Sequence, residues 1–168
     1  MDALPDLRPV SEAYASLPVS DAFNWDEASR HLGDGEWYLV AFRSIRRPGA
    51  DEERLNAYDE MAHQEAAGAP GFVHYFKGPA GPDGSCLSFC LWQSRAEARS
   101  AAGGSAHLRA VGLLSEMYQQ YALEFLRVSR HAGGLLTFEA YDRPQPTTEE
   151  TPTDSRVPGL TILPAPAF

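Results

Sequence analysis

The stretch from Ser85 to Phe125 constrains this chain most, because it changes its periodicity twice within about forty residues. Ser85 to Trp92 is rich in apolar and aromatic residues and reads as a strand. Ser94-Arg95-Ala96-Glu97 then fits the reciprocal Ser-x-x-Glu capping box that opens a helix. Gly103-Gly104 interrupts that helix, and Ser105 is placed to cap a second one. From Ala106 to Leu123 the spacing predicts a long amphipathic helix. Its apolar face would run along Leu108, Val111, Leu114 or Ser115, Tyr118, and Tyr121 or Ala122.

The flanking sequence supplies the other elements. Residues 1–35 are proline-punctuated and hold one short helix, Trp25 to Leu32, capped by Asn24 or Asp21. With Phe23, Trp25 and Leu32 in it, this segment reads as an arm packed on the core. Trp37 to Ile45 is a strand with bulk on both faces: Tyr38, Val40 and Phe42 on one, Trp37, Leu39, Ala41 and Ile45 on the other. Asp51 to Ala67 is helical, with Leu55, Tyr58, Ala62 and Met61 as candidates for the buried stripe and Asp51, Glu52 and Glu53 at its positive end.

Phe72 to Lys77 and Ser85 to Trp92 pair as a hairpin around the glycine- and proline-rich 78–84 turn. Phe125 to Val128 and Leu135 to Tyr141 read as strand segments around His131-Ala132-Gly133-Gly134. Residues 143–168 are rich in Pro, Thr and Glu, a composition that reads as an extended or disordered tail. Its apolar Leu160 to Leu163 is a segment for docking on the core or on a partner subunit.

Strand, helix, strand, strand, helix, strand is the split βαβ order of an α+β, ferredoxin-like fold, a four-stranded antiparallel sheet with two main helices on one face. It occupies residues 36–142. The other sheet face is left bare and apolar, which predicts a homodimer.

A formal net charge of -9 repels phosphates and anionic lipid, so nucleic acid and membranes are not expected partners. Cys86 and Cys90 lie four apart on one strand, about 13 Å at ~3.3 Å per residue, too far for a disulfide that needs Cα atoms within about 7 Å. Two free thiols, no apolar run near ~20 residues and no basic-plus-apolar leader predict a soluble cytoplasmic protein.

The elements from Trp37 to about Tyr141, with Leu91-Trp92-Gln93-Ser94-Arg95-Ala96-Glu97-Ala98 leading to Ser105-Ala106-His107, resemble the dimeric α+β barrel superfamily, closest to its antibiotic-biosynthesis-monooxygenase-like members. That resemblance covers roughly 105 residues of the 168 and speaks for fold more than chemistry. It implies oxygenation of a hydrophobic aromatic molecule without a bound cofactor, or a related proton transfer, in a cleft between sheet and helices. The alternatives it leaves open are haem binding or degradation with His107 as ligand, and a non-catalytic ligand-binding dimer.

His107 is the candidate catalytic residue, as general base or, in the haem alternative, axial ligand; simple surface exposure competes with both. Trp92 would line the cleft in such a protein, against plain core packing. His74 and Tyr75 point to opposite faces of their strand, so only one meets the cleft; Phe72 and Phe76 are read as sharing the face of His74. Phe42 contributes an aromatic wall. Arg43 offers a cation to a substrate enolate or carboxylate, with a salt bridge as the competing role. Tyr118 offers a phenolic donor, with core packing as its rival. His63 reads as part of a solvated helix face. Metal, dinucleotide, Walker and nucleophile-elbow motifs are absent from the sequence.

Overall fold

A computed structural model describes residues 3–141 and 160–163. Its arm contains two short helices, α1 (Val19–Ala22) and α2 (Trp25–Ala28), the second continuing as a 3-10 turn to His31. The body follows as β1 (Gly35–Arg46), α3 (Glu52–Ala67), β2 (Phe72–Phe76), β3 (Ser85–Trp92), α4 (Arg95–Ala102), α5 (Ser105–Val111), α6 (Leu114–Met117), β4 (Tyr118–Arg130) and β5 (Leu136–Ala140), with β6 (Leu160–Leu163) last. The strands form one antiparallel sheet in the order β2-β3-β1-β4-β5. This is the ferredoxin-like order extended by one strand. Because β1 fills one edge of β4, β5 and β6 share the other: β5 takes residues 126–130 and β6 takes 121–124. The 160–163 segment thus docks on the core as a strand. The rest of the tail, residues 143–159 and 164–168, lies outside the described residues.

Local chemistry explains the helix starts. Asp51 accepts the Arg54 N–H at 2.9 Å and opens α3, while Ser94 and Glu97 close the capping box of α4, the Glu97 N–H reaching Ser94 Oγ at 3.3 Å. Ser105 does not cap α5. That role falls to Glu65, which reaches across from α3 to accept the N–H groups of Ala106 and His107 at 2.9 and 3.1 Å. The crossing requires Gly104, where a Cβ would lie 2.3 Å from Glu65 Oε2.

The long helix predicted over 106–123 is not formed. It ends at Met117, after a break at Gly112, and residues 118–123 are strand, so β4 runs well upstream of the predicted Phe125 start. Tyr118, Tyr121 and Ala122 suit a helical stripe by spacing alone. Continuous pairing with the twelve-residue β1 overrides that local preference. Leu108 and Val111, predicted on the buried face, are 58% and 43% exposed, and Met61 on α3 is exposed as well.

Alternate residues of β1 serve two different interiors. Leu39 and Ala41, with Leu87, Phe89, Leu91 and Val128 from neighbouring strands, pack against Leu4, Tyr14, Val19, Phe23 and Trp25 of the arm. The sheet face predicted to meet a second subunit is therefore covered by the chain itself. The apolar area on which the dimer expectation rested is buried inside one chain.

Candidate functional site

The opposite sheet face and helices α3 and α5 enclose a cavity of about 510 Å³, within the range of small-molecule sites. Strand register maps its floor. At one end Trp92 pairs with Phe72 and Tyr38. One step along, Cys90 lies between Tyr75 and Val40, with Phe125 beyond. Phe42 follows, between Ser88 and Leu123, then Ser44 between Cys86 and Tyr121. Arg46 and Tyr118 close the far end.

Two bulges decide which side chains reach this floor. On β4, Ile45 pairs with Gln120 but Arg46 with Tyr118, so Gln119 is an extra residue. The extra residue turns Tyr118 onto the face of Tyr121. Both rings flank Phe42, at centroid distances of 5.4 and 5.6 Å. On β2, Phe72 pairs with Trp92 but His74 with Leu91, leaving Val73 extra. Phe72 therefore joins the cavity side, edge-on to Trp92 at 5.5 Å, instead of sharing the face of His74.

Of the residues predicted for the site, Trp92, Phe42, Tyr75, Tyr118 and His107 line the cavity. His74 does not. It is 5% exposed on the arm face, its ring 5.9 Å from Phe89. Tyr75 is the member of that pair that meets the cleft. Arg43 also leaves the site, since odd-numbered residues of β1 point to the arm. There it forms an ion pair with Glu124 and donates to the carbonyls of Ala15 and Leu17, the latter at 2.6 Å. Its role is to clamp the arm to the sheet.

His107 lines the cavity yet is largely exposed, so its ring stands at the mouth. Partial burial holds its pKa below the ordinary histidine value, partly opposed by the Glu65 carboxylate. Burial thus favours the neutral imidazole, the form able to accept a proton. The same Glu65 is held low by the backbone N–H groups of His107 and Ala106. It thus anchors the helix start that carries the histidine.

Asp59, Lys77 and His63, none of them predicted for the site, also line the cavity. The Tyr75 phenol donates to Asp59 Oδ1 at 2.5 Å, and Lys77 Nζ lies 2.7 Å from Asp59 Oδ2. Burial, reinforced by the adjacent Asp59 charge, pushes the Tyr75 phenol strongly up, keeping it a proton donor. His63, predicted to be solvated, lies with its ring 4.8 Å from Tyr75 and 6.0 Å from Phe72. Its i, i+4 relation to Asp59 on α3 was the available signal. Burial pushes the Cys90 thiol up to about 12, so it is no nucleophile at neutral pH. Among the described residues, no group of three or more His, Cys, Asp or Glu is placed to hold a metal, and no helix is long and apolar enough to cross a membrane.

A family model described as PB2B2.08-like matches residues 1–140. Among solved structures, the chain is similar to Rv0793 from Mycobacterium tuberculosis (20% identity over 54% of this chain and 92% of that one, TM-score 0.48). It is also similar to SnoaB, a cofactor-independent oxygenase from Streptomyces nogalater (16%, 59% and 95%, TM-score 0.44). A third is PA3566 from Pseudomonas aeruginosa (17%, 58% and 96%, TM-score 0.48). No curated protein matches.

Proposed function

Given that the chain belongs to the PB2B2.08-like family, we propose that its cavity binds a hydrophobic aromatic small molecule and oxygenates it without a bound cofactor, His107 serving as general base. The observation that carries this reading is an imidazole at the mouth of an aromatic-walled cavity formed by elements of a single chain. Second-subunit walls are not required.

In this reading His107 takes an acidic proton from a phenol or from a ring carbon beside a carbonyl. The resulting anion passes one electron to O2, and the substrate radical and superoxide combine as a peroxide. Loss of water from the peroxide leaves a new carbonyl on the substrate. One oxygen atom enters the product, the other leaves in water, and all the electrons come from the substrate. Tyr75, held protonated in its hydrogen bond to Asp59, fixes that carboxylate beside the cavity, and Trp92 and Phe42 supply flat apolar walls.

The test is oxygen uptake with an electron-rich anthrone as probe. The expected result is one O2 consumed per quinone formed, with turnover falling roughly 10²- to 10⁴-fold in His107→Ala, the usual worth of a general base. Unchanged turnover in that variant dismisses the base. Saturable binding without turnover in any condition favours the non-catalytic module, and a Soret band on adding hemin that disappears in His107→Ala favours haem ligation.

A further inference from the structure

The end of the cavity away from Trp92 holds two buried polar atoms, Ser44 Oγ and Arg46 Nε, without a hydrogen-bond partner among the described residues. Ser44 is 5% exposed and its hydroxyl has no hydrogen-bond partner among the described residues. Arg46 follows two residues later on the same face of β1, and both line the cavity. Its Nε–H is buried and unpartnered among the described residues. The guanidinium has a single ion-pair contact there, 3.5 Å to Glu52, whose side chain is 71% exposed. A buried donor left without a partner is destabilising, more so when charged, and two side by side are explained if a ligand satisfies them.

The other cations lining the cavity do not compete for that role, because Lys77 is already paired with Asp59 and Arg99 stands on α4 toward Tyr38, at the Trp92 end. Between the Arg46 end and Trp92 the floor carries Tyr121, Phe42, Leu123 and Val40. A single guanidinium and one hydroxyl, beside walls of this kind, match a carboxylate. A phosphate dianion would keep acceptors unsatisfied.

We propose that Arg46 and Ser44 are a carboxylate-binding head, and that the ligand of this chain is an aromatic acid whose carboxylate lies there and whose ring system extends toward Trp92. This deepens the reading of the cavity as the substrate site and rests on it. Arg46 and Ser44 bind and orient; His107 is carried by the α5 start that Glu65 caps, beyond the middle of α3, while Arg46 reaches Glu52 at the first turn of α3.

Fluorescence titration of the full chain with 1-pyrenebutyrate and with 1-pyrenebutanol, the same shape without the charge, tests it. The expected result is that the acid binds about ten- to a hundredfold tighter than the alcohol, the effect of one charge-assisted contact. Arg46→Gln should erase that preference by weakening the acid while leaving the alcohol within about twofold. Ser44→Ala, a small change that keeps the strand, should weaken the acid about threefold to tenfold. Equal affinity of the two probes for the unaltered chain overturns the carboxylate head alone, as does an equal loss of both in Arg46→Gln. Binding of neither probe overturns both the head and the cavity as a ligand site.

Discussion

Leu39 and Ala41 of β1 end in a solid interior, both at 0% exposure, while Val40 and Phe42, which alternate with them, border a 510 Å³ hollow. One strand therefore builds two environments of opposite character. The arm face is closed by an edge-to-face aromatic cluster in which Phe23 touches Tyr14, Trp25, Phe76 and Phe89. It is locked by Arg43 and Glu124. The helix face is spanned by α3 and α5 and keeps polar groups, two of them unpaired. The difference shows where packing for stability ends and provision for a ligand begins.

Stability measurements break this comparison most directly. Phe23→Ala in the arm cluster should cost about 3–5 kcal/mol in urea unfolding, as truncation of a buried aromatic does. Phe42→Ala, whose half-buried ring already borders open space, should cost about 1–2 kcal/mol. Equal losses would mean that the cavity is not there in solution. Removing residues 1–34 bares the arm face, and size-exclusion chromatography should then show larger species than the full chain gives.

A next smaller effect concerns the clamp. Arg43→Gln leaves Glu124 in its buried position without its cation and should destabilise by about 2 kcal/mol, below the fully buried case because the Arg43 side chain keeps some exposure. Binding of an aromatic probe should change little, since the clamp lies on the far side of the sheet.

The smallest and sharpest test is the titration of His107 by NMR. Burial lowers its pKa, so the midpoint should fall below the ordinary value of about 6.5. The charged form is disfavoured in the folded chain, so this group's stabilising contribution is present above the unfolded value and lost as pH falls through the folded one. Turnover should follow the same acid limb. Glu65→Gln removes the charge that opposes the shift and should move the midpoint lower still. A rise would contradict the Glu65 contribution.

Much of the frame was legible because its signals are local. Ser85–Trp92 is a strand at its predicted ends, α3 opens at Asp51 and α4 at Ser94, and the order of elements gave the ferredoxin-like arrangement. Trp92 was expected in the cleft from the resemblance, while alternation alone left His74 and Tyr75 as alternatives for it. Failures occurred where one extra residue or a distant partner intervened. The bulge at Val73 moved Phe72 away from the face of His74, and the bulge at Gln119 lies in residues whose spacing imitates a helix. His63 read as part of a solvated face until β2 brought Tyr75 against it.

By itself, then, the sequence determined where α3, β3 and α4 begin, because caps, glycines and apolar periods act over a few residues. Only the tertiary structure decided what each sheet face meets: the chain's own arm on one side, a hollow of ligand size on the other. Those outcomes depend on register and on contacts between residues far apart in the chain, and neither is encoded in any short run of sequence.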